Sequence, residues 1–266
     1  MQTDVHTHTT YSDGSSLEAM ISAAEDAGLS ALGLTDHCIV TDDEFGRRAK
    51  YDLVETYRQR REDIDAARDT TDLRLYDAAE VSYVEGTESE IAAFLETADF
   101  AYTIGSVHFA GQYNYTSATQ YATADAHQCR AAVERYYDAV VALIESELFD
   151  VVGHLDLPER LPALRRYTTR ADYERVARAL ADSETIPEVN AGRVHRSLGR
   201  VHPDPGMLEL FTEYDIQFVF GSDSHAPAEL GERVPVLRTL ADTHDLASSQ
   251  AHNPDHAARI LQKIDD

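Results

Sequence analysis

The sequence predicts an α/β fold in which a parallel sheet or barrel is surrounded by helices. Seven short β-like runs alternate with longer amphipathic runs along the chain, and this alternation is typical of parallel strands joined by crossover helices. A length of 266 residues is common for an α/β barrel that forms one domain. We therefore expect residues 1–266 to form a single domain.

The β-like runs are short and mostly apolar, which favours strands that are buried in a sheet. In chain order they are TDVHTH (3–8), ALGLTDH (31–37), LRLYDAAEVSY (73–83), FAYTIGSVH (100–108), DVVGHLD (150–156), IPEVNAG (186–192) and IQFVFGSDSH (216–225). Apolar residues at three- and four-residue spacing predict helices in the stretches between them. These stretches are SLEAMISAAEDAGL (16–29), AKYDLVETYRQRREDIDAAR (49–68), ESEIAAFLETA (88–98), DAHQCRAAVERYYDAVVALIESEL (125–148) and TRADYERVARALADSE (169–184).

The first helix has signals at both of its ends. Asp13, Ser15 and Ser16 precede it, and the side chains of Asp and Ser are good N-caps. Gly28 stands where a C-terminal glycine would end the helix. Asp13 is therefore either a helix cap or a residue of a functional site.

Histidines or acids stand at the ends of six of the seven β-like runs. Parallel strands place all their C-terminal ends on one face of a barrel, which is where such folds collect their active sites. His6 and His8 occupy positions i and i+2, which point to the same face of a strand. The strand-end residues are His6, His8, Asp36, His37, Glu80, His108, His154, Asp156, Asp223 and His225.

The joint occurrence of these residues predicts a metal site. A single histidine at a strand end is more often a hydrogen-bonded structural residue, but a whole set of buried, unpaired imidazoles and carboxylates would be unfavourable. Imidazole nitrogens and carboxylate oxygens together suit Zn, Mn or Fe, and so many ligands imply two or three ions. Other histidines have no role in this prediction: His127, His195, His202, His244, His252 and His256.

The motifs DVHTH, LTDH, AEVSY, IGSVH, VGHLD and GSDSH occur together in this chain. As a set they resemble the PHP (polymerase and histidinol phosphatase) superfamily, over almost the whole chain. The resemblance implies a distorted (β/α)7 barrel, similar to a TIM barrel, that holds a trinuclear metal site at the C-terminal ends of its strands. Longer segments resemble the histidinol-phosphate phosphatases of that superfamily: FAYTIGSVHFA, ERYYDAVVALIESELFDVVGHLDL, EVNAGRVHR and GSDSHAPAELGERV.

The resemblance also implies how the ligands are divided. His6, His8, Glu80 and Asp223 would hold one ion, and Glu80 would bridge to a second ion. The second ion would also be held by His108 and His154, and the third by His37, His225 and Asp13. Asp13 departs from the histidinol phosphatases, which commonly carry a histidine slightly further along, and its SDG context resembles polymerase-associated and nucleotide-phosphatase relatives.

The implied reaction is hydrolysis of a phosphate monoester, with histidinol phosphate and water giving histidinol and phosphate. Two neighbouring cations lower the pKa of a bridging water and hold two phosphoryl oxygens during in-line attack. Glu80 would serve this chemistry as the bridging carboxylate. We expect Asp36 and Asp156 mainly to hold the second ring nitrogen of ligating histidines, with proton transfer to the leaving group as an alternative.

Phosphate recognition should use arginine, whose planar fork matches phosphate oxygens. The stretch NAGRVHRSLGR follows a β-like run and contains Arg193 and Arg196. The resemblance places a phosphate-contacting arginine near this stretch, so either of the two could fill that role. Asn190 is a weaker candidate for a substrate contact.

The chain is strongly acidic, with 48 acidic and 23 basic residues and a formal charge of −25. Lys50 and Lys263 are its only lysines, and this composition resembles proteins of halophilic archaea, where molar salt screens such repulsion. The charge disfavours a nucleic-acid partner and leaves a small phosphate ester as the expected substrate. Cys38 and Cys129 form neither a CxxC pair nor a disulfide framework.

No positively charged leader and no long apolar run is present in the sequence, so we expect a cytoplasmic protein without a membrane partner. A homo-oligomer is left open. Among hydrolases, the amidohydrolase superfamily also begins with HxH, but many members bridge their ions with a carboxylated lysine, and neither lysine lies at a strand end.

Two further alternatives remain. A PHP-type nucleotide phosphatase or 3'-5' exonuclease would use the same ligands, although a nuclease would be expected to carry a basic stripe, which this sequence lacks. A non-catalytic metal-binding regulatory module usually lacks one or more ligands, whereas here all the strand-end positions are filled.

Overall fold

The computed structural model describes residues 1–41 and 53–243. Lys50, Lys263, His244, His252, His256 and the first four residues of the predicted helix 49–68 lie outside these ranges. The helices in the described part are α1 Leu17–Asp26, α2 Leu53–Arg68, α3 Glu88–Ala98, α4 Ala126–Glu145, α5 Arg170–Ala181, α6 Pro205–Glu213 and α7 Pro227–Thr243. Short 3₁₀ turns lie at Thr119–Tyr121, Leu157–Arg160 and Arg165–Tyr167.

The strands alternate with these helices, as the sequence predicts. They are β1 Thr3–Thr7, β2 Ala31–Leu34, β3 His37–Cys38, β4 Arg74–Asp77, β5 Ala79–Ser82, β6 Thr103–Ser106, β7 Phe109–Ala110, β8 Tyr113–Asn114, β9 Val151–Val152, β10 Ile186–Asn190 and β11 Val219–Gly221. The hairpin β7–β8 and the helices α6 and α7 were not predicted. In α7, Pro235 lies inside the helix, where a proline normally argues against helix.

Parallel pairing passes through all seven predicted runs. One sheet has the order β1-β2-β4 and another the order β11-β10-β9-β6-β5-β3. A parallel bridge between Thr7 and Ser224 joins β1 to the chain after β11, with hydrogen bonds from Asp223 N to His6 O (2.8 Å) and from His8 N to Ser224 O (2.9 Å). The strands therefore follow one another around a distorted barrel of seven runs.

Two of the seven runs are each broken into two strands, β2 with β3 and β4 with β5. Arg60 of α2 is 1% exposed, and its guanidinium donates to Leu34 O at the end of β2 and to Ala78 O between β4 and β5. It also donates to Asp36. The buried arginine thus binds backbone carbonyl groups at both breaks.

The beginning of α1 decides the alternative for Asp13. Ser16 is the N-cap, because its side chain accepts a hydrogen bond from Ala19 N. Gly28 follows the helix with φ +68°, as a C-terminal glycine should. The interpretation of Asp13 as a helix cap was wrong, and its carboxylate lies next to the imidazole of His225.

An apolar layer fills the barrel at the N-terminal side of the candidate site. It contains Val5, Tyr76, Tyr102, Ile104, Val151, Ile186 and Val219. These residues stand shortly before polar residues of the site in the sequence: Val5 precedes His6, Ile186 precedes Glu188, and Val219 precedes Asp223. The apolar layer therefore packs against the N-terminal side of the polar layer.

Cys38 and Cys129 are both buried free thiols. Among the described residues, no helix has the length and apolar character that crossing a bilayer requires. The assignment of the whole chain to one domain stays a prediction.

Candidate metal centre

Glu80 lies at the centre of a cluster of histidines. Its carboxylate is 1% exposed, and its two oxygens have imidazole nitrogens on several sides. The nitrogen–oxygen distances are 2.6 Å for His37, 2.9 Å for His154, 3.6 Å for His108, 3.7 Å for His6 and 3.8 Å for His8. Five histidines from four different regions of the sequence thus surround one carboxylate.

The barrel brings these residues together in the way that parallel strands predict. His6 lies in β1 and His8 directly follows it, while His37 and Glu80 are paired residues of β3 and β5. Three further strands contribute the residues that follow their C-terminal ends: His108 after β6, His154 after β9, and Asp223 and His225 after β11. The C-terminal ends of the strands therefore meet at one mouth of the barrel, as predicted.

Asp223 and Asp13 extend the cluster toward solvent. The Asp223 Oδ1 atom lies 3.4 Å from His8 Nε2 and 3.9 Å from His6 Nε2. The Asp13 Oδ1 atom lies 3.2 Å from His225 Nε2 and 3.7 Å from His37 Nε2. Asp13 is 43% exposed at its side chain, so it stands at the rim of the site.

Three groups of these residues have ligand atoms that all lie within 4.8 Å of one another. They are His6–His8–Glu80, His37–Glu80–His108 and His8–Asp13–His37–His225. Glu80 belongs to two groups, as expected for a bridging carboxylate. The division differs from the expected one in that His8 and His37 are also shared. His154 belongs to none of the three groups and lies 2.9 Å from Glu80.

The electrostatics of the cluster favour a ligand set for cations. Burial raises the pKa of Glu80, but the imidazoles of His37, His108 and His6 outweigh burial and hold it well below the usual range. Burial and the neighbouring His225 and His37 lower the pKa of His8 to about 4. Glu80 is therefore ionised and His8 is neutral near pH 7, which are the forms that bind metal ions.

The donor atoms also fit a metal in their arrangement. The Nε2 atoms of His6 and His8 face each other at 3.1 Å. Glu80 Oε2 is buried, and imidazole nitrogens of His37, His6 and His8 lie 2.6, 3.7 and 3.8 Å from it. Nitrogen and oxygen atoms that converge on a common space in this way are suitable ligands for divalent cations of the zinc type.

Several contacts orient the ligands from behind. His6 Nδ1 lies 2.8 Å from Glu188 Oε1, and His108 Nδ1 lies 3.0 Å from Ser82 Oγ. Ser106 Oγ donates to Glu80 Oε1 at 2.6 Å. Sequence reasoning missed Glu188, although an acid in the middle of the apolar run IPEVNAG was a signal that could have found it.

Asp36 and Asp156 hold parts of the chain that border the site. Asp36 accepts hydrogen bonds from Thr9 N, Ser12 Oγ and Arg60 Nη1 at 2.6, 2.8 and 3.0 Å, so it fixes the turn that carries Asp13. Asp156 accepts from Asp204 N at 2.8 Å, Arg200 Nη1 at 3.3 Å and the His202 ring. The bonds of both carboxylates thus go to other partners than the ring nitrogens of ligating histidines. A role for either in proton transfer stays a prediction.

The two arginine candidates lie in different places. Arg193 lines the pocket above the cluster, which has a volume of about 140 Å³ and also contains Glu80, Asp13 and Arg160. Arg196 is 61% exposed at its side chain and pairs with Glu229 at 3.5 Å. The structure therefore separates the two arginines that the sequence left equal.

Arg160 is a pocket residue that sequence reasoning missed. Its Nε donates to Tyr115 O at 3.1 Å, and it lies in the 3₁₀ turn that follows His154. Desolvation and the neighbouring Arg193 lower the pKa of Arg160 to about 9. Two neighbouring arginines in one pocket form a site that suits an anion with more than one negative charge.

Asn190 has a structural part in this region. It is fully buried, its Oδ1 accepts from Gly192 N at 2.8 Å, and its Nδ2 donates to Glu188 at 3.0 Å. These bonds hold the turn after β10 against the barrel, so the side-chain groups of Asn190 are occupied within the protein.

Comparisons with known proteins agree with this geometry. Residues 4–191 match the PHP domain. The chain is 30% identical over 213 residues to the "Probable histidinol-phosphatase" of Deinococcus radiodurans, which covers 79% of this chain and 80% of that protein.

Two solved structures share the fold. A candidate histidinol phosphatase, hisK, of Listeria monocytogenes has a TM-score of 0.77 at 20% identity, over 88% of this chain and 99% of that chain. The histidinol phosphate phosphatase of Lactococcus lactis, complexed with zinc, L-histidinol and phosphate, has a TM-score of 0.72 at 21% identity, over 91% of this chain and 93% of that chain. With its family match, its curated relative and its distorted barrel, the chain belongs to the PHP domain family.

Proposed function

We propose that this chain is a metal-dependent phosphate monoester hydrolase that converts histidinol phosphate and water to histidinol and phosphate. The observation that carries this proposal is one pocket that holds both the histidine cluster around Glu80 and the guanidinium groups of Arg160 and Arg193. A cation cluster next to two arginines is complementary to a phosphate dianion and to the charge that develops when the ester is cleaved. The relative from Deinococcus radiodurans supports histidinol phosphate as the substrate.

The cofactors in this proposal are two or three divalent ions of Zn, Mn or Fe. The Lactococcus lactis structure, which contains zinc, supports zinc among these. When bound, such ions supply charge neutralisation for the phosphate and a lowered pKa for water. We propose the ligands His6, His8, Asp13, His37, Glu80, His108, His154, Asp223 and His225.

The protein's own residues then have separable tasks. Arg160 and Arg193 bind and orient the phosphate, because they line the same pocket as Glu80. Asp13 stands at the rim with its side chain 43% exposed, where a carboxylate also favours the cationic amine and imidazole of histidinol phosphate over a purely anionic ester.

The proposal includes the setting of the enzyme. We propose a cytoplasmic protein that works in a salt-rich interior, since a formal charge of −25 is tolerable where salt screens it. The substrate is a small molecule, and the same charge disfavours nucleic acid.

The test is phosphate release from histidinol phosphate, compared with nucleoside monophosphates and an aryl phosphate, in molar KCl with and without a chelator. The proposal expects the highest kcat/KM for histidinol phosphate and loss of activity with the chelator. Glu80→Gln is the matched inactive variant, because it removes the charge at the centre of the cluster. Loss of activity in this variant, purified in the same way, would exclude a contaminating phosphatase as the source of the activity. Preference for nucleotides would favour the nucleotide-phosphatase alternative, and bound metal without turnover on any ester would favour a regulatory module.

A further inference from the structure

Glu188 is a buried carboxylate inside the barrel that binds to two separate parts of the candidate metal centre. It lies in β10 and has no exposed surface. Its Oε1 lies 2.8 Å from His6 Nδ1. Its Oε2 accepts from His154 N at 3.2 Å and from Asn190 Nδ2 at 3.0 Å. One side chain therefore contacts residues from three strand regions.

The neighbouring strand leaves space for this carboxylate. Gly221 of β11 is the register partner of Asn190, and a Cβ atom at Gly221 would lie 1.8 Å from Glu188 Oε1. Only glycine fits at this position while Glu188 keeps its place. Burial of a carboxylate at a site where an apolar residue would fill the barrel is costly, which points to a task other than packing.

The contact with His6 fixes which ring nitrogen is available to a metal. His6 Nδ1 lies at hydrogen-bond distance from Glu188 Oε1, so Nδ1 is the ring nitrogen that donates its proton to this carboxylate. Nε2 then faces Glu80 and Asp223, which lie 3.7 and 3.9 Å from it. Glu188 thus holds the ring in the orientation in which Nε2 can be a metal ligand.

The contact with His154 holds a backbone conformation that the ligand position requires. His154 has φ +27°, a region that residues other than glycine seldom adopt. Its N–H is bound by Glu188, and its carbonyl accepts from Tyr136 Oη at 3.0 Å. With both sides of the residue held, its Nε2 reaches Glu80 Oε1 at 2.9 Å.

We infer that Glu188 is a positioning residue that holds His6 and His154 together in their metal-binding arrangement, on two sides of Glu80. The positions of His6 on β1 and of His154 after β9 therefore both depend on the carboxylate of Glu188. The inference rests on the proposed metal site and not on the identity of the substrate.

The test is the zinc affinity of Glu188→Gln, measured by competition with a chromophoric chelator. The amide of Gln has one acceptor and one donor end, so either His6 Nδ1–H or the pair of donors at Oε2 faces an N–H group. Loss of a hydrogen-bond partner behind a metal ligand typically weakens affinity by about 10–100-fold, and we expect a loss in this range. In ¹⁵N spectra of the zinc-bound protein, the signal of the His6 Nδ1–H group should move from its wild-type position, because its acceptor has changed.

Asp172→Asn is the matched control. Asp172 is 2% exposed and accepts from Arg130 Nη1 at 2.7 Å and Thr169 N at 2.8 Å at the start of α5, on an element that carries none of the proposed ligands. It should lower the midpoint of unfolding and leave zinc affinity unchanged. A merely structural role for Glu188 would make zinc affinity follow stability in both variants.

Zinc affinity of Glu188→Gln within twofold of the wild type would overturn the inference. If that variant does not fold, Glu188→Asp carries the same comparison, because it keeps both acceptors but withdraws them by one methylene. If Glu188→Gln binds zinc more weakly while the wild-type protein hydrolyses no histidinol phosphate, the inference is upheld and the proposed substrate is rejected.

Discussion

The Nε2 atoms of His6 and His8 lie 3.1 Å apart at the end of β1, closer to each other than either lies to Glu80. Two buried lone pairs at this separation are unfavourable without a proton or a cation between them. A bound cation should therefore stabilise the folded state, because the unfolded chain does not preserve this arrangement.

Removal of metal should lower the free energy of unfolding. At free zinc of 100 times Kd, one site contributes about 2.7 kcal/mol. Urea unfolding of the chelator-treated protein, with and without added zinc, measures this difference. Calcium prefers oxygen ligands and should restore much less stability, and superimposable unfolding curves with and without zinc would contradict the metal centre.

Substitution of Arg193 should reduce catalysis far more than substitution of Arg196. Arg193 lines the pocket with Arg160, whereas Arg196 is 61% exposed at its side chain. We expect Arg193→Ala to lower kcat/KM by roughly 10²-fold, as for the loss of a group that stabilises developing charge. Arg196→Ala should stay within about twofold, because its pair with Glu229 is a surface ion pair. Equal effects in steady-state assays would show that the pocket does not bind the phosphate.

Substitutions of Asp13 and Ser16 should have different effects: the first should change metal binding and the second the stability of α1. Asp13 Oδ1 lies 3.2 Å from His225 Nε2, and Ser16 caps α1. Asp13→Ala should lower the number of bound metal ions, measured by elemental analysis, with little change in the stability of the metal-free protein. Ser16→Ala should cost about 1 kcal/mol of stability with the full metal content. The reverse pattern would return Asp13 to the role of a cap.

The strand-end residues could be predicted because their positions follow from covalent periodicity. His6 and His8 share a face at i and i+2, and parallel strands bring their C-terminal ends to one mouth of a barrel. No long-range information is needed for that step. The ten strand-end histidines and acids could therefore be named before any coordinates, although Asp36 and Asp156 bind other partners than the ligating rings.

The remaining features depend on contacts between distant residues. Nothing local in the sequence distinguishes Arg193 from Arg196, since they stand three residues apart in the same turn and only the direction of the loop separates them. Arg60 donates to Leu34 O and Ala78 O where two of the strand runs are interrupted, and the pattern of an amphipathic helix does not predict these contacts. The position of Glu188 in an apolar run indicated a buried acid, but its partners His6 and His154 are distant in the sequence and could not be predicted from it.

The acid limb of stability should respond to Glu159. Burial, with some help from Asp156 and Asp204, raises the pKa of Glu159 to about 7 from 4.5, against the opposing effects of Thr168 and Arg200. A carboxyl with a raised pKa in the folded state binds its proton more tightly there than in the unfolded chain. Its contribution to stability is therefore complete below pH 4.5 and is lost as the pH rises to about 7.

Glu159→Gln removes this ionisation. Relative to the wild type, the variant should gain stability between pH 4.5 and 7, by at most about 1.4 kcal/mol per pH unit, and the difference should then level off. Urea unfolding at pH 4, 5.5, 7 and 8.5 measures it. A difference that does not change with pH would mean that Glu159 titrates at its usual value.

Salt should stabilise the protein over the range in which surface repulsion is screened. The chain carries 48 acidic and 23 basic residues, and the screening length falls from about 10 Å at 0.1 M salt to about 3 Å at 1 M. The free energy of unfolding should therefore rise between these concentrations of KCl. Glu96 in the last turn of α3 and Glu145 at the end of α4 are exposed, and a cation is favourable at both helix ends. The double variant Glu96→Lys/Glu145→Lys should therefore be more stable than the wild type in low salt and should respond less steeply to KCl. An equal response in both proteins would assign the effect to general salting-out and not to the acidic surface.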